Sequence, residues 1–429
     1  MPRFILAKIS LPIIEKLVLL VIFYYPVFIF TIKGSTSFFF FLLLLIAVFY
    51  LCWNHKSMRF PLWDRTSLIF AFAMATPVIA ILLSQAYHKN FNLPSYDAPS
   101  RFLLTIPIYL MLRQINWRQT AILQLGIPIG IIGGLLLLII APYNWVDNRS
   151  TTGQFFNLNH FSDIALMLAF LSLISINWPN HDRLPAIILK FFAFLCGVYM
   201  AIQTGERGGL LTIPPLVLIT LMSLNTGNLI RKLLIVSVTS FLLLAIAYLG
   251  TDIMHNRIDL AFNDIEAYAK GQKDTSLGIR IQLWQAAWHF FIENPVFGIG
   301  PGEFAISTES LQMNKVLTAE AAFMGRAEIH NEILSKCAET GIFGLLASLF
   351  VIFVPLFLFI HSYRTSSNIQ QIASLMGCML VVGFFIYGFT VEIFNLKMTV
   401  SFYCLTMAAL LAIATNNINS DTYIVSDKA

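Results

Sequence analysis

Three residues in this chain have a type and a setting suited to chemistry on an anion. Arg207 lies in Gln203-Thr204-Gly205-Glu206-Arg207-Gly208-Gly209, a very short turn between two strongly apolar segments. Its glycines let the backbone turn tightly and approach a ligand. A guanidinium at the edge of an apolar region offers a permanently charged, two-pronged grip on phosphate, although such an arginine can also simply snorkel or pair with Glu206. Arg280 sits on one stripe of an amphipathic segment with Trp284, Trp288 and Phe291, where it can hold a substrate or a lipid phosphate. His330 opens His330-Asn331-Glu332-Ile333-Leu334, at the start of another apolar stretch. A helix N-terminus there favours anions and disfavours imidazolium, so a neutral histidine can act as a base or donate a hydrogen bond. A lone histidine at such a boundary can equally be inert. The phosphate loop GxxxxGK[ST], the zinc motif HExxH and the DxD carboxylate pair are absent from the sequence, so neither a metal nor another cofactor is expected.

The elements that must position these residues follow from composition. Of 429 residues, 58% are hydrophobic and only 11% charged, against about 25% charged in soluble domains. Mean hydropathy is +0.76. A soluble globular enzyme and a disordered chain are both excluded. Continuous apolar runs such as Phe38–Phe49 and Ile127–Ala141 also speak against the alternating strands of an outer-membrane barrel. The composition predicts an all-α polytopic membrane protein. Its five cysteines show no CxxC spacing and imply neither a disulfide framework nor a zinc site. Arg3 and Lys8 precede a long apolar run without a cleavage signature, which predicts an uncleaved first helix. The net charge of +5 carries no implication of nucleic acid.

At about 20 apolar residues per span, twelve helices are expected: 12–32, 37–53, 67–86, 99–117, 120–142, 157–177, 185–204, 208–224, 232–250, 331–361, 369–391 and 397–415. The fourth is the shortest in apolar content and is expected to be tilted or partly interfacial. With the N-terminus inside, thirteen basic residues (Arg3, Lys8, Lys56, Arg59, Arg65, Arg113, Arg118, Arg183, Lys190, Arg231, Lys232, Arg364 and Lys428) fall on inner segments. Six (Lys33, Lys89, Arg101, Arg149, Arg207 and Lys397) fall on short outer loops. The bias predicts both termini in the cytoplasm. Three parts result: residues 1–250 with nine spans, a hydrophilic insertion at 251–329 placed outside, and residues 330–429 with three spans and a tail. The insertion has ten acidic and six basic residues, a net of −4. Within it, Ser276–Ile292 reads as a helix, capped by Ser276, with Ile279, Leu283, Ala286, Ala287 and Phe290 at helical spacing. Its tryptophans suggest a place at the membrane boundary. Asn294-Pro295 ends it, and Gly298-Ile299-Gly300-Pro301-Gly302 makes a tight turn. Gly341 and Gly344 lie about 16 Å down the tenth span from His330 at 1.5 Å per residue, where they are expected to allow close helix packing.

His330-Asn331, nine residues, then Gly341-Ile342-Phe343-Gly344 fits H[NSQ]-x9-GxxG, and with it the chain resembles the O-antigen ligases. The twelve spans, the single large insertion, the turn Glu206-Arg207-Gly208-Gly209, Arg280 early in the insertion helix, and Asn294-Pro295-x-x-Gly298-x-Gly300 after it resemble that family too. The resemblance implies a fold like that of the C-type glycosyltransferases, with the insertion in the periplasm of a bacterial inner membrane. It implies transfer of O-antigen polysaccharide from undecaprenyl diphosphate to a sugar of lipid A–core, without metal and with inversion. In that reading His330, Arg207 and Arg280 are catalytic, Arg207, Arg280 and Asn331 hold substrate, and Gly341 and Gly344 shape the helix. An O-antigen polymerase or a protein O-oligosaccharyltransferase using the same donor is the nearest alternative. A twelve-helix transporter is a more remote one, because its ionisable residues belong at the midplane, often in two related halves.

Overall fold

The computed structural model describes residues 11–53, 61–115, 117, 124–154, 156–224, 228–366 and 368–416. Arg3, Lys8, Lys56, Arg59, Arg118 and Lys428, all used in the orientation argument, lie outside the described residues. Sixteen α-helices are present among the described residues. The first nine are α1 (Leu11–Val27), α2 (Ser35–Trp53), α3 (Arg65–His88), α4 (Ser100–Leu112), α5 (Gly126–Ile140), α6 (Leu158–Ile174), α7 (Leu184–Gln203), α8 (Ile213–Ser223) and α9 (Leu229–Gly250). Four more build the hydrophilic insertion: α10 (Asp252–Ala269), α11 (Ser276–Glu293), α12 (Glu303–Met313) and α13 (Ala319–Gly325). The last three are α14 (Glu332–Thr365), α15 (Asn368–Tyr387) and α16 (Lys397–Ala414). A two-residue antiparallel pair, Tyr143–Asn144 with Ser150–Thr151, closes the α5–α6 loop.

Each of the twelve segments expected to span is a helix. Seven of them (α2, α3, α7, α9, α14, α15 and α16) are long and apolar enough to cross a membrane, while α5, α6 and α8 are shorter apolar helices. The chain is a multi-pass membrane protein. The fourth helix is well packed: α4 lies among α2, α3 and α16, and eight of its thirteen residues are buried, Arg101 included. Arg101 Nε donates to Ser401 Oγ at 2.9 Å.

Two apolar cores form. The larger joins the apolar helices. The smaller belongs to the insertion, where Leu283, Ala286 and Ala287 of α11 pack with Phe304, Leu311, Ala321, Ala322, Ile329 and Ala338, and Ile279 and Phe290 sit at its edge. This is the stripe that helical spacing predicts. The cap of α11 differs by one residue: Thr275, not Ser276, takes the extended conformation and accepts from Gly278 N.

The tenth expected span carries the largest departure. α14 breaks at Gly341, where φ is +64° and ψ −146°, a conformation open essentially to glycine alone. Its 34 residues would be about 51 Å long if straight, more than a hydrocarbon core of about 30 Å requires. The break separates residues 332–340, which pack under the insertion, from the apolar run 342–365. Lys336 and Glu339, the charges that fit poorly in a span, lie ahead of the break.

Candidate functional site

The turn after α7 is built around Gly205, whose φ is +65°. A side chain there would come within 3.0 Å of Arg149 Cδ and Arg257 Cγ, so the glycine leaves room for two arginine stems. Arg257 Nε returns a hydrogen bond to Gly205 O at 3.2 Å. Arg207 donates to Arg257 O at 3.1 Å, and its Nη2 lies 3.5 Å from Asp264 Oδ2. Between them Glu206 is buried. Burial raises the Glu206 carboxyl above its ordinary value, opposed by the guanidiniums of Arg280, Arg257, Arg149 and Arg207, with Arg280 the strongest of the four. Burial also lowers Arg257, and the nearby charges of Arg207 and Arg149 lower it further. Four guanidiniums from four segments thus crowd one buried carboxyl. Such a cluster is stabilised by a polyanion that can take several charge-assisted hydrogen bonds at once. Arg207 and Arg280, singled out from sequence, meet here.

His330 occupies the residue before the cap of α14, with φ +61°. Asn331 is the cap: its Oδ1 accepts from Leu334 N at 3.0 Å. That oxygen is committed to the helix end. His330 Nδ1 lies 2.8 Å from Glu328 Oε1. Trp284 Nε1 donates to His330 O at 3.3 Å, which ties α11 to the start of α14. Glu328 is largely buried; burial raises its carboxyl, but His330, with His160 and the Glu392 backbone N–H, together hold it below its ordinary value.

The segment 328–332 is stitched to the loop between α15 and α16. Glu392 Oε1 accepts from Ile329 N at 2.6 Å, and its Oε2 accepts from Ser335 Oγ at 2.9 Å. Glu392 N in turn donates to Glu328 Oε2 at 3.2 Å. Glu332 N donates to Gly388 O at 2.8 Å, while Glu332 Oε2 accepts from Phe394 N at 3.0 Å. Burial pushes the Glu392 carboxyl up to about 8, against the pull of the Lys336 ammonium.

The N-terminal turn of α6 joins the arginine cluster to the histidine. Asn159, with its amide turned to donate, reaches Glu206 Oε1 at 2.5 Å. The next residue, His160, is buried, has an Nδ1 without a partner, and lies within electrostatic reach of Glu328 and His330. Gly208 and Gly209 let the turn approach closely, because side chains there would strike Thr390 and the Ser162–Asp163 pair.

Gly341 and Gly344 do not serve helix-on-helix packing at depth. The turn after α11 docks into the break of α14 through Ile299 N to Ala338 O and Gly300 N to Glu339 O, both 2.9 Å, and Ile342 N to Pro295 O, 2.8 Å. A side chain on Gly341 would come within 2.5 Å of Val296 C and 2.8 Å of Gly298 N. At Gly344 it would strike Lys336 O and Thr340 Oγ1 across the break. Ser84, one turn from the end of α3, donates to Phe297 O at 2.7 Å and to Glu339 O at 3.3 Å. Gly341 therefore stands beside Ser84, one turn from the end of α3.

Sequence reasoning missed Arg149, Arg257, Glu328, Glu392 and His160, and treated Glu206 only as a partner for Arg207. Arg149 was visible as one charge in a short loop, and Arg257 as one among six bases of the insertion. Their convergence is a tertiary fact. Among the described residues no group of three or more His, Cys, Asp or Glu side chains is arranged to hold a metal ion.

These features define a polytopic membrane protein with a cationic, histidine-bearing site beneath a helical insertion. Residues 192–349 match the family model described as O-Antigen ligase, a stretch that contains Arg207, Arg280, His330, Gly341 and Gly344. The chain is related to the O-antigen ligase family over that stretch, as its motifs indicate. It is 24% identical to an uncharacterized protein of Haemophilus influenzae, over 80% of this chain and 84% of the relative. It is 23% identical to the teichuronic acid biosynthesis protein TuaE of Bacillus subtilis, over 66% of this chain and 58% of that protein. It is 28% identical to the O-antigen ligase of Escherichia coli, over 27% of this chain and 29% of the ligase.

Proposed function

We propose that this protein is a lipopolysaccharide ligase that moves O-antigen polysaccharide from undecaprenyl diphosphate onto a sugar hydroxyl of lipid A–core. The observation that carries the reading is the convergence of Arg149, Arg207, Arg257 and Arg280 around Glu206, next to the His330–Glu328 pair. A diphosphate is a good leaving group, and the main catalytic need is to stabilise the charge that develops on it. Arginines supply that without a metal. The acceptor oxygen attacks the anomeric carbon from the face opposite the diphosphate; the new C–O bond forms as the bond to the diphosphate breaks, which inverts the configuration. The hydroxyl proton leaves toward the His330–Glu328 pair, and undecaprenyl diphosphate departs held by the arginines.

The twelve-span arrangement belongs to this proposal, with the insertion in the periplasm, both termini in the cytoplasm and the chain in the inner membrane. Both substrates are amphiphiles, and their head groups meet at the outer face. The longer match to a teichuronic acid biosynthesis protein favours, as a second reading, a polymerase that extends a lipid-linked chain with the same donor chemistry. The lipopolysaccharide gel profile of a deletion strain tests the two. Loss of the whole ladder with accumulation of lipid-linked polymer is the ligase result. Core carrying a single repeat unit is the polymerase result and overturns the proposal.

A further inference from the structure

A second polar region adjoins the His330–Glu328 pair and is separate from the arginines. A cavity of about 330 Å³ opens between residues 92–99, the start of α12, residues 325–329, the first turns of α14 and residues 392–397. That volume lies within the range of small-ligand sites. Its walls carry the carboxyls of Asp97, Glu328, Glu339 and Glu392 and the cationic groups of Arg326, Lys336 and Lys397, with Phe394 as an apolar surface. Lys397 is committed to Asp97. Lys336 stands 3.8 Å from Glu339 Oε2, too far for a hydrogen bond, and keeps donors for a ligand. Glu328 is the shared wall, because its Oε1 meets His330 Nδ1 at 2.8 Å.

A smaller polar cavity of about 210 Å³ adjoins this one at Pro301. It is lined by Gln85, His88, Asn90 and Glu303, and Gln85 Oε1 is buried there without a hydrogen-bond partner. A buried, unpaired carbonyl oxygen calls for a donor.

We infer that the two cavities form the acceptor subsite, taking successive sugar rings of an uncharged saccharide, with the reactive hydroxyl against Glu328. The inference rests on the transferase reading above and names the place of its acceptor. Four carboxyl groups, one of them Glu392 raised to about 8, face three cations on the larger wall, so no excess of positive charge draws a diphosphate here, and the mixed donors and acceptors suit ring hydroxyls, each of which both donates and accepts. The apolar surface of Phe394 suits the C–H face of a sugar ring. In the transfer, the hydroxyl of the bound ring gives its proton to the His330–Glu328 pair. Its oxygen bonds the donor's anomeric carbon, and that carbon's bond to the diphosphate breaks.

The test uses the full-length purified protein with undecaprenyl diphosphate-linked polysaccharide as donor and lipopolysaccharide lacking O-polysaccharide as acceptor. Asn395→Ala removes a polar side chain from the cavity wall away from His330. It should raise the acceptor KM on the order of tenfold, the effect of one lost hydrogen bond, with kcat and donor KM near wild type. Ala305→Trp fills the larger cavity and should abolish transfer while donor binding, read by isothermal titration, is retained. An unchanged acceptor KM in Asn395→Ala, or a change confined to donor KM, overturns the subsite; Asn395→Ala decides alone if Ala305→Trp does not fold. A wild-type protein that transfers nothing to this acceptor refutes the transferase reading itself, and the subsite with it.

Discussion

Replacing Gly341 by alanine tests how the two halves of the site are held in register. At φ +64°, ψ −146° a non-glycine residue carries strain of about 1–3 kcal/mol. Its side chain would also press on Val296 C and Gly298 N, backbone atoms that cannot swing aside. Relief requires the turn 295–300 to move off α14, which gives up the hydrogen bonds at Ile299, Gly300 and Ile342. At about 0.5–1.5 kcal/mol each, these bring the total to roughly 3–7 kcal/mol, a large share of a typical folding stability of about 5–15 kcal/mol. Gly271→Ala is the control: its φ is +89° and no atom lies within 4 Å of an added side chain, so it carries the strain alone. The assay is amide hydrogen exchange together with thermal unfolding of purified protein. Gly341→Ala should lose protection at the amides of residues 299, 300 and 342 and unfold several degrees lower, while Gly271→Ala should keep those amides protected and show only the smaller loss of stability that strain alone causes. A Gly341→Ala protein that keeps those amides protected and unfolds within about 1 °C of wild type would refute the docking argument.

Three further predictions concern the site. Arg207→Lys keeps the charge but not the fork that a diphosphate matches; losing one charge-assisted contact of about 1.5–3 kcal/mol should cut transfer roughly 10- to 100-fold, and a wild-type rate would remove Arg207 from the site. Glu392 has its carboxyl raised to about 8 by burial, from an ordinary 4.5, so the fold favours the protonated form. That contribution is full below the ordinary value and is lost as pH rises through about 8, on the order of 4–5 kcal/mol at most. Thermal stability followed against pH should therefore decline over this range in the wild type and flatten in Glu392→Gln; an unchanged slope in the variant contradicts the assignment. Transfer by purified protein should persist in EDTA, and a loss that magnesium restores would show that the arginines are not sufficient.

The elements were legible in the sequence where one physical rule dominated. Long apolar runs gave each expected helix, and the 279–290 spacing gave the face that α11 buries. Arg207 and Arg280 were legible because glycines and an amphipathic stripe set them apart. Three things were not legible. The short apolar centre of α4 made it look weak, since hydropathy does not register the protein neighbours in which eight of its residues are buried. Gly341 was read as a packing residue, because a periodic apolar pattern continues across a break that only the turn at 295–300 explains. Glu392 carried no local signal; it matters through partners 57 to 64 positions away, and such pairings exist only in the folded chain.

The most direct test of the account is single-turnover transfer by purified wild-type and His330→Ala protein at matched amounts. The donor is undecaprenyl diphosphate-linked polysaccharide and the acceptor is lipopolysaccharide lacking O-polysaccharide. The account predicts that the wild type forms ladder product and that His330→Ala is slower by on the order of 10²–10⁴-fold, with its fold intact because His330 adds little to either apolar core. Equal rates for the two proteins, or a wild type that forms no product with this pair, would contradict it.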